Sequence, residues 1–341
     1  MTVAGDADQS ICAVYVDMGT TNTRSWLAQG SRIIARSSRP TGVRDSARTG
    51  TSASIHEALR DVIREVRANA ASCVPICVAA AGMISSPLGL AEVPHIPAPA
   101  GIDELASAAR WFEFEDVTDL PILLVPGVRS GPPHSGIEHV DLVDVMRGEE
   151  TLCAGLNALG IVRPPLTVLN LGSHWKAIRI DREGRVESSV TSLSGELIHA
   201  VQMHTILASS VPQDRPAALN AGWVERGMAL QRKSGLARAL FCVRLLELAR
   251  DGTPEDRLAF LVGAFIASDL DALLARGMLA SGTDVAIIGS HAIPEAWQTA
   301  LAQKEINTTL LSAEDAENAF VAALRLIAAR SCAARKKQRA C

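Results

Sequence analysis

Twice in this chain an apolar, β-branched run stops at a small-residue turn and is followed by two more short extended runs. The first copy is ICAVYVDM (11–18), the turn GTTN, then SWLAQG and RIIARS separated by a Gly-Ser turn. The second is LTVLNL (166–171) ending in Gly172-Ser173, then Trp175 to Ile180 and Val186 to Val190 joined through an Arg-Glu-Gly turn. Runs of this composition bounded by glycine turns read as strand meanders. Each is accompanied by α/β units, so the chain is an internal structural repeat without an obvious sequence repeat.

The intervening segments fill in the pattern. Apolar residues fall at helical spacing in Ser54 to Asn69 (Ile55, Leu59, Ile63, Val66), and PICVAA (75–80) reads as a buried strand. Gly82 to Gly101 is rich in Gly, Ser and Pro, a long loop of the kind that carries function. ILLV (122–125) is a strand stopped by Pro126-Gly127; Glu149 to Leu159 is helical, as is most of Gly195 to Arg276. DVAII (284–288) is a strand ending in Gly289-Ser290, and Glu314 to Arg330 is a terminal helix. A chain of 341 residues, 48% hydrophobic, is too long for one core. We expect an N-terminal domain over 1–128, a crossing and hinge over 129–141, where periodicity lapses, and a C-terminal domain over 142–341.

Composition excludes several classes. Net charge is −4 and aromatics are 4%, so nucleic acid is not an expected partner. The seven cysteines form no CxxC pair and sit mostly in apolar runs, which reads as reduced core thiols and no zinc site. MTVAGDADQS lacks the form of a signal peptide, and no run of about 18 apolar residues is present, so we expect a cytoplasmic protein with no membrane partner. The basic end, Arg335 to Arg339, reads as a solvated, frayed terminus.

The chemistry lies in the turns. Asp17-Met18-Gly19-Thr20-Thr21-Asn22 ends a strand with an acid, a glycine and two hydroxyls. The glycine brings backbone N–H groups close to an anion, and an acid beside a phosphate turn suits Mg²⁺ held through water. This is not a Walker A loop, since GxxxxGK[ST] is absent and a strand follows. Gly172-Ser173-His174 repeats the theme, and Gly289-Ser290 ends a third strand before a helix begins near Pro294. Together they point to a nucleotide between two related domains, with phosphates on the first two turns and adenosine on the last.

At these residues the chain resembles a known group. DMGTTNTR is similar to the phosphate-1 motif of the sugar-kinase, Hsp70 and actin superfamily. DMGTTNTRSW, AGMISSPLGL, MRGEETL, LGSHWKA and GELIH together resemble the 2-dehydro-3-deoxygalactonokinase family, over about residues 14–330. Met18 and Leu90 stand where that family has Trp, Ser173 where it has Thr, and Ile198 interrupts the GELH spacing. The resemblance implies a two-domain actin-like, ribonuclease H-like ATPase fold with an interdomain cleft. It also implies ATP-dependent phosphorylation of 2-keto-3-deoxygalactonate at C6 in galactonate catabolism, with Mg²⁺; a homodimer is compatible with it.

Phosphoryl transfer needs a carboxylate to take the hydroxyl proton, and in related sugar kinases it opens the helix before the second phosphate strand. Glu149 and Glu150 occupy that position, and successive helical residues point about 100° apart, so one of them aims at substrate. Glu149 is favoured by the resemblance, since a glycine directly precedes the catalytic acid in better-known related sugar kinases and Gly148 precedes Glu149 here; simple capping of the helix is the alternative. Asp17 is the metal-side candidate, and Gly19, Thr20, Thr21, Asn22, Gly172, Ser173 and His174 are the phosphate candidates. Gly289 and Ser290 are assigned to adenosine. Arg24, Gly82, Met83, Ser85, Ser86, Arg147 and Lys176 are assigned to the sugar acid, with Arg147 as a carboxylate clamp. Competing readings are a kinase for another sugar or sugar acid, and a non-catalytic ATP- or sugar-binding sensor of the same fold.

Overall fold

The structure of the chain, a computed structural model, describes residues 11–68, 73–133 and 136–339. The N-terminal decapeptide, Asn69 and Cys341, on which expectations above touch, lie outside the described residues. The chain divides into two compact units: Met1–Arg163 with Gly184–Glu187 and Asp315–Cys341, and Pro164–Glu183 with Ser188–Glu314.

In unit 1 the meander forms β1 (Cys12–Met18), β2 (Thr23–Gln29) and β3 (Arg32–Arg39), each antiparallel to the next. Helices α1 (Val43–Thr49) and α2 (Ala53–Ala68) lead to β4 (Val78–Gly82), parallel to β1. Ile55, Leu59, Val62, Ile63 and Val66 of α2 are all buried, as an apolar stripe at helical spacing requires. Next come β5 (Ile96–Pro97), α3 (Ile102–Ala108), β6 (Arg110–Phe112) and β7 (Ile122–Leu124), and the sheet runs β3-β2-β1-β4-β7-β6. β8 (Val128–Ser130) and β9 (Asp144–Met146) join β5 in a three-stranded sheet, after which α4 (Glu149–Ala158) begins.

Unit 2 repeats the plan with β10 (Leu166–Leu171), β11 (Trp175–Ile180) and β12 (Val186–Ser192). It continues through α5 (Ser194–His204), α6 (Ala221–Ser234), α7 (Leu236–Leu248) and α8 (Pro254–Ala275). β13 (Asp284–Gly289), α9 (Ile293–Ala302) and β14 (Asn307–Leu310) complete it, and the sheet runs β12-β11-β10-β13-β14. Both sheets share a core of a three-strand meander whose first strand is followed by two parallel strands, β1-β4-β7 in unit 1 and β10-β13-β14 in unit 2, and unit 1 adds β6 antiparallel to β7 at its edge. This duplicated ribonuclease H-like sheet is the two-domain actin-like fold.

α8 is the one helix among the described residues long and apolar enough to cross a membrane, and it forms the middle of the unit 2 core with Leu258, Leu261, Phe265 and Ile266 buried. Its start is fixed by Pro254 and a capping box, in which the Thr253 hydroxyl accepts from Asp256 N–H at 3.1 Å and the Asp256 carboxylate accepts from Thr253 N–H at 3.0 Å.

The structure departs from the expected division at residue 128. Residues 129–141 are not a crossing but part of unit 1, containing most of β8 and a 3₁₀ turn over Ile137–Leu142. Gly131, which made the stretch resemble a linker, has φ +91°, and a Cβ on it would meet the Leu142 carbonyl oxygen at 2.1 Å. The last helix, α10 (Ala313–Arg339), starts near the expected point, but from Asp315 onward it belongs to unit 1. Phe320 meets Trp26 at 6.0 Å between ring centroids, and Trp111 Nε1 donates to Ser331 Oγ at 3.0 Å. The basic end is not frayed at Arg335, which lies in α10 with its guanidinium 5.6 Å above the Trp111 ring. Cys12 and Cys73 correct the expectation of seven reduced thiols: they are joined in a disulfide with Cα atoms 6.0 Å apart, because the start of β1 lies beside the segment entering β4.

α4 and α10 touch backbone to backbone at Gly155, where a Cβ would stand 1.8 Å from the Ala319 carbonyl oxygen. Gly155→Ala should therefore destabilise the protein by about 1–3 kcal/mol, the usual cost of overpacking. Gly136→Ala, at an open position without positive φ, serves as the neutral control in the same denaturant titration.

Candidate active site

The first turn is shaped by the helix that follows the meander. Gly19 N–H donates to the Asn22 carbonyl at 2.8 Å and closes the turn. The Gly19 carbonyl accepts from Val43 N–H at 3.3 Å and the Thr20 carbonyl from Arg44 N–H at 3.0 Å, both in the opening turn of α1. This approach requires Gly42, since a Cβ there would lie 2.5 Å from the Thr20 carbonyl oxygen. In a trans peptide the N–H points opposite to the C=O. The N–H groups of Thr20 and Thr21 are thereby turned away from α1, as a phosphate-binding turn needs. Thr20 and Thr21 are half-buried and Asn22 is exposed, its amide donating to Thr21 Oγ1 at 3.0 Å.

Unit 2 repeats the device at α5. A Cβ on Gly195 would meet the Gly172 carbonyl oxygen at 2.3 Å and the Ser173 carbonyl oxygen at 2.7 Å, so both carbonyls face the helix start. The N–H groups of Ser173 and His174 then face the other way. His174 Nε2 lies 3.2 Å from Glu196 Oε2.

Around Asp17 three segments of unit 1 converge. Asp17 ends β1, Gly82 ends β4 at φ +92°, and Gly148 opens α4 at φ +104°. A Cβ on Gly148 would be 3.3 Å from Gly82 Cα and 4.0 Å from Asp17 Oδ1, so the helix carrying the two glutamates starts against the two strand ends. Arg24, mostly exposed, donates to Asp17 Oδ2 at 2.5 Å.

The two glutamates have different surroundings. Glu150 is 1% exposed, and both its carboxylate oxygens accept from Gly148 N–H at 2.8 Å while Thr151 Oγ1 donates to it at 3.1 Å. Burial, aided by the charge of Glu149, pushes its carboxyl up to about 7. Glu149 is only half-buried. Of the pair, Glu150 braces the turn and Glu149 is the carboxylate with access.

The proposed sugar residues divide. Met83 packs on the unit 1 core, Ser85 Oγ donates to the Gly82 carbonyl at 3.2 Å, and Ser86 Oγ donates to the Met83 carbonyl at 2.7 Å, so both hydroxyls brace their own loop. Arg147 also engages this loop, donating to Ser85 Oγ at 2.9 Å and to the Val93 carbonyl at 3.0 Å. Lys176 is 5% exposed and lines a pocket of unit 2 with Ser192 and Asp269, whose carboxyl is pushed up by burial. Met18, Leu90 and Ile198, where the chain departs from the family pattern, are all buried core residues.

A second pocket of unit 2 gathers Gly172, Ser290 and His291 with Gly195, His199 and Arg215. Gly289 forms its floor strand, where a Cβ would meet Leu171 Cβ at 3.1 Å. The loop bearing Arg215 is tied down by Gln202 Nε2 donating to the Pro212 carbonyl at 2.8 Å and Arg257 Nε donating to the Ser210 carbonyl at 2.8 Å. Sequence reasoning missed Gly42 and Arg215, and quoted Gly195 only as part of GELIH without a role. The two glycines carry a signal, a glycine at the start of the helix after each meander; Arg215 carries none.

The family model described as 2-keto-3-deoxy-galactonokinase matches residues 17–327. The chain belongs to the 2-keto-3-deoxy-galactonokinase family. It is 29% identical over 311 residues to a Rhizobium meliloti (strain 1021) protein named as a 2-dehydro-3-deoxygalactonokinase, covering 90% of this chain and 94% of that one. It is 26% identical over 320 residues to the 2-dehydro-3-deoxygalactonokinase of Escherichia coli (strain K12), covering 92% and 97%. A crystal structure from Sinorhizobium meliloti, titled as a protein of the same activity, superposes with a TM-score of 0.73 at 26% identity over 93% of this chain and 98% of that one. As a family member the chain is a sugar-acid phosphotransferase, and the family implies ATP and a divalent metal.

The folded protein holds the Glu150 proton to about pH 7, whereas the unfolded chain releases it near the ordinary carboxylate value. Folding therefore loses stability as pH rises through that interval. Glu150→Gln cannot titrate, so its melting temperature relative to wild type should be higher at about pH 8 than at about pH 5. A difference independent of pH contradicts the assignment.

Proposed function

We propose that this chain transfers the γ-phosphoryl group of ATP to the 6-hydroxyl of 2-dehydro-3-deoxy-D-galactonate, in galactonate catabolism. The observation that carries the reading is the seating of Gly148 on Gly82 beside Asp17, which starts the glutamate-bearing helix at the end of the first phosphate strand. Glu149 takes the proton of the attacking hydroxyl as the oxygen–phosphorus bond forms, and ADP leaves with the electron pair of the broken bond. The N–H groups of Thr20 and Thr21, and those of Ser173 and His174, receive phosphate oxygens. Gly289 and Ser290 serve the adenosine.

The metal is assigned as Mg²⁺. Among the described residues no cluster of three or more His, Cys, Asp or Glu is present, so an all-protein cage is not on offer. A single carboxylate beside phosphate turns fits Mg²⁺, which keeps several waters and draws its other ligands from phosphates. Asp17 would hold it, and the ion would supply neutralisation of the β- and γ-phosphate charge. Arg24, paired to Asp17, fixes that carboxylate and adds positive charge at the turn. A cytoplasmic location and a homodimer belong to the same reading.

The test is a coupled kinase assay on 2-keto-3-deoxygalactonate, 2-keto-3-deoxygluconate and galactose, run on wild type, Glu149→Gln, Glu150→Gln and Asp17→Asn. We expect turnover of the galactonate derivative above the other two, and a fall in kcat of about 10²- to 10⁴-fold in Glu149→Gln with nucleotide affinity nearly intact. Glu150→Gln should do far less, and Asp17→Asn should lose most turnover even at saturating Mg²⁺. Wild-type rates in Glu149→Gln would remove it as the base, and preference for galactose would remove the sugar-acid assignment.

A further inference from the structure

The residue expected to clamp the substrate's carboxylate does something else. Arg147 lies between β9 and the Gly148 cap of α4, half-buried in unit 1. Nη1 donates to Ser85 Oγ at 2.9 Å, while Nη2 donates to the Val93 carbonyl at 3.0 Å and lies 3.3 Å from His95 Nδ1. One guanidinium therefore reaches three points of the loop that follows β4. The fully buried Ser85 hydroxyl relays the contact, since it accepts from Arg147 and donates to the Gly82 carbonyl at 3.2 Å. Ser85 and Val93 are also joined through their backbones, with Val93 N–H donating to the Ser85 carbonyl at 3.0 Å.

The packing leaves little slack on either side. Gly82 Cα abuts Gly148, and Gly127 has no room for a side chain because Arg147 Cγ and His95 Cδ2 would lie 2.6 and 2.7 Å from a Cβ. Desolvation lowers the proton affinity of Arg147, and the nearby charges of Glu150 and Glu92 offset only part of the effect. An ammonium is a poor replacement, because the planar fork donates from two separate nitrogens at once, to Ser85 Oγ and to the Val93 carbonyl.

We infer that Arg147 is a positioning residue: it ties the loop from Gly82 to His95 to the first turn of α4, so that the sugar-acid loop and the Glu149 carboxylate move as one piece, and it is not the carboxylate clamp. A clamp must present its fork to the ligand. Here each terminal nitrogen already donates to the loop, Nη1 to Ser85 Oγ and Nη2 to the Val93 carbonyl, so the fork is turned toward protein acceptors. The inference rests on the kinase reading above for its catalytic consequence, but the tie itself is a property of the ligand-free protein.

The experiment takes the full chain with Arg147→Met, the milder Arg147→Lys, Ser85→Ala and the double variant Arg147→Lys/Ser85→Ala. Backbone hydrogen exchange is measured without ligands, and kinetics with ATP and 2-keto-3-deoxygalactonate. Loss of two or three charge-assisted hydrogen bonds should speed exchange in the segment 83–95 by roughly 10- to 100-fold in Arg147→Met, with α8 unchanged. Arg147→Lys should not rescue it. kcat should fall and the KM for the sugar acid rise while the KM for ATP holds, and the double variant should lose less than the product of the single losses. Unchanged exchange with a raised sugar-acid KM would overturn the inference in favour of a direct clamp. Faster exchange with wild-type kinetics would overturn its catalytic part. Should wild type phosphorylate none of the sugar acids, the kinase reading fails, and the exchange data still decide whether Arg147 holds the loop.

Discussion

A peptide group whose carbonyl is engaged on one side must offer its N–H on the other. In this protein the carbonyls of Gly19 and Thr20 are bonded to the start of α1, and those of Gly172 and Ser173 face the start of α5. The approach is possible only because Gly42 and Gly195 carry no side chain where the helices meet the turns. Each turn is thereby held with two N–H groups aligned before any anion arrives, so little reorganisation is needed when charge is bound. The repetition of the arrangement in both units is why the shared sheet core matters: it sets a glycine turn at the end of the strand that joins the meander to the parallel strands, with a helix start against that turn.

The same economy of side chains shapes the surroundings of Asp17. Gly82 and Gly148, both at positive φ, bring β4 and α4 against the end of β1. Two adjacent glutamates then meet opposite fates. Successive helical residues diverge by about 100°. Glu150 turns inward, where burial raises its proton affinity and its oxygens brace Gly148, and Glu149 keeps access to solvent.

Much of this was legible in the sequence. β-branched runs bounded by glycine turns located the strands of both meanders, helical spacing located α2, and the acid-glycine-hydroxyl turn located the tight turn that follows β1. What escaped depends on contacts between distant segments. Residues 129–141 read as a linker because short paired strands with a positive-φ glycine leave no periodicity. The return of α10 to unit 1 is set by Trp26, Gly155 and Trp111, far away in sequence. The disulfide of Cys12 with Cys73 depends on β1 lying beside β4. The burial of Lys176, two residues past His174, follows from its packing with Ser192 and Asp269, which are distant in sequence. Cationic residues near a motif do not reveal which of them are engaged by the protein itself, and Arg147 is the clearest instance.

The central claim is that the two turns present preset N–H groups to phosphate. The most direct measurement is an amide nitrogen–proton correlation spectrum of the isotope-labelled protein during titration with a non-hydrolysable ATP analogue and Mg²⁺. The account predicts saturable displacement of the Thr20, Thr21, Ser173 and His174 resonances. Saturable binding that leaves all four resonances in place would contradict it.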